Sequence, residues 1–244
     1  MNSNDNVNKK IKILNILDFN DFELNTMDYK NALEIDKRTY SEYYISLIKT
    51  KHPILFSFCP RKDFNVFIIR ICLFFLYFAI NYAFNTLFFD FTVIHNIYEN
   101  EGNYDISFLI PQIIYSFIIS YIIFIFIKFF TLSERDLIKI KNEKTIIQAN
   151  EKVPSVERCI IIRNVCYFIL SILFLFFFWY YLSSFCALYK NSQVHLIKNT
   201  FISFAIGLIF PFFINLLPGI FRIFSLQSTN RECLYKTSQI LQLL

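Results

Sequence analysis

Charge is the scarce component of this sequence, and it is missing in blocks. Only 18% of the 244 residues are Asp, Glu, Lys or Arg, and the stretch Phe168–Cys186, FILSILFLFFFWYYLSSFC, carries none. A soluble domain of this length interleaves charge throughout, so that organisation is excluded. Glycine is rare too, at 3 residues, while Phe supplies 32. The joint abundance of Phe, Ile, Asn, Lys and Tyr matches an AT-rich coding bias, so Phe-for-Leu choices carry no functional signal. Residues 1–64 hold no apolar segment followed by a small-residue cleavage site, and a cleavable signal peptide is not expected. Asn2 stands where myristoylation needs glycine, and the final LQLL lacks a prenylatable Cys. The first long apolar run is therefore expected to be its own targeting signal.

Catalytic and metal-binding patterns are also missing. Six cysteines occur, Cys59, Cys72, Cys159, Cys166, Cys186 and Cys233, with no CxxC pair and no His at zinc-ligand spacing. Cys59, Cys72 and Cys159 fall near the ends of apolar runs, where palmitoylation is one use and a small buried or free thiol is the plainer one. His52, His95 and His195 lie outside the apolar runs, and Asp90 and Asp105 only flank them. There is no HExxH, no GxSxG, no paired intramembrane Asp and no Asp-rich cluster. Catalysis needs a positioned acid, base, nucleophile or metal. No enzyme, no cofactor and no nucleic-acid partner is therefore expected.

Four apolar runs remain: Val66–Phe89, Ile106–Phe130, Val165–Leu188 and Phe201–Ile223. Each is long enough to cross about 30 Å of hydrocarbon at roughly 1.5 Å per residue. Backbone groups in lipid must be satisfied within the segment, and no run alternates as a barrel strand would, so helices are expected. The expectation is an all-α integral membrane four-helix bundle, built as two helical hairpins with an amphipathic cytosolic N-terminal helix. Residues 1–65 carry ten Lys/Arg and 131–164 carry seven, whereas 90–105 carries none and has four acids. Arg70, Lys128, Arg163 and Arg222 each sit at one span end, all on the same side. Positive loops stay cytosolic, which puts both termini and 131–164 inside. The four cations are then expected to snorkel to the cytosolic headgroups. The two outer loops are short and contain no N-x-[ST] sequon, which leaves no room for a folded ectodomain.

The cytosolic parts are larger. Residues 1–27 are expected to be poorly ordered. Residues 28–51 place Leu33, Tyr40, Tyr44 and Leu47 on one helical face, with Arg38, Glu42 and Lys49 opposite and Asp36 and Lys37 at its edges. This predicts one helix on the inner leaflet or docked on the bundle, followed by a short apolar HPILFSFCP within the segment 28–65. After span two, Thr131 and Glu134 have capping-box spacing, which predicts a helix continuing to Pro154. Pro154 or Ser155 would then start the third helix. Residues 224–244 form a tail.

Uncharged polar residues inside the runs are the candidate site. Tyr77, Asn81 and Asn85 recur at i, i+4, i+8 and share a helix face; Gln112, Ser116 and Ser120 do the same. Amides in lipid need partners, so the two stripes are expected to face each other across an antiparallel hairpin. An interhelical seam and a polar vestibule for a solute or ion are both open. In span four, Gly207, Pro211, Asn215, Pro218 and Gly219 point to a helix break, either a simple kink or freed carbonyls of the kind transporters use.

Two stretches carry a resemblance. WYYLSSFCALYKNSQVHLIKNTFISF with PFFINLLPGIFRI, and IPQIIYSFIISYI with LSERDLIKIKNEK, resemble the C-terminal multi-pass region of large protist membrane proteins, ciliate ones especially. The aromatic span, Tyr-containing loop and Ser-Phe span are also similar to polycystin-like membrane regions, from which this chain departs in having fewer spans. The resemblance implies a membrane-anchoring or complex-forming module, with no catalytic residues. The expected partners are the lipid bilayer and other membrane proteins or further copies of the chain. A small channel or transporter subunit is the rival expectation, and a lipid-modifying enzyme comes third.

Overall fold

Several of the helices begin on side-chain caps. The computed structural model describes residues 19–59, 63–101, 106–141, 143, 145–228 and 230–242. In chain order its helices are α1 (Asp21–Thr26), α2 (Tyr29–Ile35), α3 (Tyr40–Lys51), α4 (Pro53–Phe58), α5 (Phe67–Leu87) and α6 (Phe91–Glu99). They continue as α7 (Ile106–Thr131), α8 (Glu134–Lys141), α9 (Ile146–Leu188), α10 (Gln193–Ile214), α11 (Leu216–Leu226) and α12 (Glu232–Leu241). Among the described residues there is no strand. Among the described residues, four stretches are long and apolar enough to cross a membrane: Phe67–Leu87, Ser107–Lys141, Ile146–Leu188 and Lys190–Leu226.

The chain divides into two units. The first joins residues up to Asp63 to Phe210–Leu244, and the second is Phe64–Ile209. In the first, α1 occupies residues expected to lack order, because Asn20 and Glu23 form a capping box. Glu23 N donates to Asn20 Oδ1 (2.8 Å) and Asn20 N donates to Glu23 Oε2 (2.9 Å). Residues 1–18, the remainder of that expectation, lie outside the described residues. The single helix expected over 28–51 is two helices. The backbone is extended at Asp36 and Thr39, and a second capping box restarts it: Thr39 N donates to Glu42 Oε2 (2.7 Å) and Glu42 N donates to Thr39 Oγ1 (3.3 Å). This Thr-x-x-Glu satisfies two otherwise orphan N–H groups. The buried face of α3 is Tyr43, Ser46, Leu47 and Ile48, while Tyr40 and Tyr44 are half-buried. In the tail, α12 packs Tyr235 against Tyr29 and Ala32.

In the second unit the acidic loop contains α6, capped by Asp90, whose Oδ1 accepts from Val93 N at 2.9 Å. Ile94 and Ile97 of α6 pack with Phe89, Phe185 and Leu196. Residues 102–105 of that loop lie outside the described residues. The capping box expected at Thr131 is not formed. Thr131 ends α7, and its hydroxyl turns back to Ile127 O (2.7 Å). The chain pauses, and α8 starts at Glu134. Nor does Pro154 start the third helix: α9 begins on the cap Thr145, whose hydroxyl accepts from Gln148 N (3.3 Å), and runs through Pro154. At 1.5 Å per residue α9 is about 65 Å long, yet it buries only Tyr167 and Phe185.

The restart at Thr39 gives a direct test. Thr39→Ala is expected to cost about 1 kcal/mol, the usual loss of a helix cap. Amide exchange at residues 40–43 should accelerate while that of α9 is unchanged; an unaltered α3 would contradict the cap.

Candidate functional site

In the second unit, three helices bring polar stripes together. Asn81 of α5 donates from Nδ2 to Ser203 Oγ of α10 at 3.0 Å. Ser203 Oγ donates in turn to Ile113 O of α7 at 3.3 Å. Gln112 Nε2 donates to Asn85 O (2.9 Å), and Asn199 Nδ2 donates to Gln112 Oε1 (3.3 Å). Asn85 Nδ2 donates back to Asn81 O and Oδ1 (2.9 and 3.1 Å). All five side chains are buried. The stripe on α10, Asn199, Ser203 and Gly207, repeats at i, i+4, i+8 like the other two. Sequence reasoning missed Asn199 because it began the span at Phe201; the spacing itself would have found it.

The rest of the expected seam is buried but differently employed. Ser116 Oγ, Ser120 Oγ, Tyr77 Oη and Asn85 Oδ1 have no hydrogen-bond partner among the described residues. The Tyr77 ring packs against Phe124 and Phe204, with centroids 4.7 and 5.4 Å away. Its hydroxyl lies against Gly207, where a Cβ would come within 2.0 Å of it. Gly207 is thus required by a close approach of an aromatic side chain.

The first unit is built around a charge. Arg222 of α11 is 0% exposed. Its Nε and Nη2 donate to Asp36 Oδ2 at 3.0 and 2.8 Å. Nη1 donates to Asn25 O (3.2 Å) and Nη2 to Leu24 O (2.6 Å). The guanidinium carbon sits 4.9 Å from the Tyr43 ring centre and 4.7 Å from that of Tyr235, within the range of a cation–π contact. Arg38 grips the same carboxylate, with Nε 2.8 Å from Oδ1 and Nη2 3.0 Å from Oδ2. Burial alone raises the Asp36 carboxyl, but the hydrogen bond and charge of Arg38, then Arg222, outweigh it and hold it below the ordinary 3.8. Burial pushes the Tyr235 phenol up to about 12, so it stays protonated and donates to Met27 O at 2.6 Å. The break between α2 and α3 is what delivers Asp36 to Arg222. Asp36 looked like a flaw in an amphipathic pattern, and no local signal links it to a residue so far along the chain.

The fourth apolar stretch is interrupted once, at Asn215, between α10 and α11. Pro211 stays inside α10, and Pro218 falls in the first turn of α11, where a missing N–H costs little. Carbonyls around the interruption are taken by protein donors. Asn215 Nδ2 donates to Pro211 O (2.7 Å), Tyr44 Oη to Phe212 O (2.9 Å), Tyr40 Oη to Leu216 O (3.3 Å) and Ser238 Oγ to Pro218 O (2.9 Å). Gly219 lies under the Tyr40 ring, 2.8 Å from where a Cβ would stand.

The boundary cations are engaged with protein. Contrary to expectation, Arg222 does not snorkel, since its hydrogen bonds enclose it. Arg70 is 4% exposed, with its guanidinium 5.3 Å from the Phe67 ring centre. Lys128 Nζ lies 5.8 Å from that of Phe124, and Arg163 Nη2 pairs with Asp136 Oδ2 at 2.9 Å. Cys59 and Cys72 are half-buried and Cys159 is exposed. Among the described residues no three His, Cys, Asp or Glu side chains gather as metal ligands. Compared with known proteins, the chain matches no family model, no curated protein and no solved structure.

Two substitutions test these contacts. Gly207→Ala should destabilise the second unit by about 1–3 kcal/mol, the usual cost of overpacking. Tyr77→Phe in the same chain should recover part of it in thermal unfolding in detergent; additive losses would contradict the contact. Asp36→Ala should cost about 3–5 kcal/mol, because a buried charge loses its partner, and trypsin should then cut readily at Arg231. Because the folded-state carboxyl titrates below its unfolded value, its contribution is full above pH 3.8 and is lost as pH falls through the folded value. Acid should therefore sensitise the native chain to the acid-active protease pepsin near residues 231–236, and should do so less in Asp36→Ala.

Proposed function

We propose that the chain is a non-enzymatic multi-pass membrane protein that anchors or assembles a membrane complex. In this reading it makes four passes and keeps both termini and residues 131–164 in the cytosol, as the distribution of Lys and Arg requires. The observation that carries the proposal is the direct bonding in the polar seam. Asn81, Asn85, Gln112, Asn199 and Ser203 meet at 2.9–3.3 Å, distances that leave no room for a solute between those partners. The capped carbonyls around Asn215 support the same reading, because they are already occupied by Tyr40, Tyr44, Asn215 and Ser238. The third apolar stretch supplies the surface for assembly. Trp179 is 75% exposed, and Phe176 and Tyr180 are exposed beside it, so a neighbouring helix can pack there in place of lipid. The resemblance to the multi-pass regions of large protist membrane proteins points the same way.

One observation favours a second reading, a small channel or transporter subunit. The unpaired Tyr77, Ser116 and Ser120 hydroxyls and Asn85 Oδ1 are groups that water or a solute would satisfy. The two readings separate experimentally. A photo-crosslinking residue at Trp179, activated in native membranes, is expected to give a discrete protein adduct by mass spectrometry, from a partner or a second copy. Solute flux in reconstituted vesicles that is abolished by Asn81→Leu would overturn the assembly reading. Protease on intact cells should cut a tag at Asn100 and spare an N-terminal tag; the reverse pattern would overturn the orientation.

A further inference from the structure

The first unit contains a pocket of about 300 Å³ that no role above uses. Tyr44, Ile45, Ile48, Leu55, Cys59 and Phe212 line it, and among the described residues Lys49 is the one charged residue in its wall. Its volume lies at the low end of ligand pockets, roughly 300–1,000 Å³. Its polar groups make few demands: the Tyr44 hydroxyl is already given to Phe212 O at 2.9 Å. The back wall is braced, since the His52 ring packs on Phe212 with centroids 4.7 Å apart. Phe212 itself belongs to the membrane-length stretch Lys190–Leu226, so in the membrane-spanning reading one wall of the pocket is part of a span. Ile45, Ile54 and Phe58 are also exposed on α3 and α4. Such an apolar skirt is costly in water and stable against acyl chains. Lys49 sits in the last turn of α3 with Lys51, which places positive charge beside the pocket and complements a phosphate.

We propose that this pocket holds an acyl chain of an anionic phospholipid, with Lys49 beside the headgroup. A neutral lipid would fill the same walls but lose the lysine. A partner helix is a poorer occupant, because helix axes approach no closer than about 8 Å and the pocket admits a chain rather than a cylinder. The inference needs the membrane spans but not the assembly role. Lipid labelling can fail while protein adducts at Trp179 persist, and the converse also holds.

The test uses the full chain in phosphatidylcholine vesicles doped with a lipid that carries a diazirine on its acyl chain. The headgroup is phosphatidylserine in one arm and phosphatidylcholine in the other. After illumination, mass spectrometry should find the adduct on residues 44–59, stronger with phosphatidylserine by about fivefold, the factor one lysine near an anionic surface supplies. Lys49→Glu should remove that preference and leave the phosphatidylcholine level. Cys59→Trp, at a half-buried position in the pocket wall, should occupy the pocket and remove labelling in both arms. Equal labelling by the two headgroups in the native chain, or labelling indifferent to Cys59→Trp, would overturn the proposal.

Discussion

A polar group enclosed by apolar side chains has no water to turn to, so another part of the chain must meet it. That constraint organises both units. In the first it is severe, because the enclosed group is the Arg222 cation. In the polar seam of the second it is milder, because the groups enclosed there are amides and hydroxyls. The Arg222 guanidinium collects a carboxylate, two main-chain carbonyls and two aromatic faces. These partners come from α1, from the break after α2, from α3 and from α12. Without the charge at Arg222 there would be little reason for the two ends of the chain to meet there.

The seam of the second unit is held by weaker bonds. Interhelical hydrogen bonds in membranes average about 0.6 kcal/mol, whereas stripping a partner from a buried charge costs about 3–5 kcal/mol. The seam therefore specifies register and packing more than it supplies stability. Asn81, Ser203 and Ile113 meet at one level, and Asn85, Gln112 and Asn199 at the next. Shifting one helix by a turn would unpair several groups at once. Gly207 then admits Tyr77 where a larger residue would hold α10 away.

Prolines had less effect than their reputation suggests. Pro154 and Pro211 lie inside helices, and Pro218 opens one. Capping residues set the boundaries instead: Thr39, Asp90 and Thr145 each accept a main-chain N–H at a helix start. The sequence reading gave weight to the capping-box spacing at Thr131 and overlooked the one at Thr39. The difference lies in context. Thr131 ends a helix whose carbonyl at Ile127 captures its hydroxyl, whereas the backbone is extended at Asp36 and Thr39 and the Thr39 hydroxyl accepts from Glu42 N.

From the sequence alone came the all-helical class, the four apolar stretches and the polar spacing along Tyr77–Asn85 and Gln112–Ser120. These follow from local periodicity and composition, which need no knowledge of distant residues. The stripe through Asn199 was equally legible and was missed only by setting a boundary too late. Tertiary structure alone decided that Asp36 receives both Arg38 and Arg222, that α9 stands largely uncovered, and that the carbonyls near Asn215 are closed by Tyr40, Tyr44 and Ser238. Those outcomes depend on which distant groups a fold brings within hydrogen-bonding distance, and a charge on a helix face does not say whether headgroups or a carboxylate will answer it.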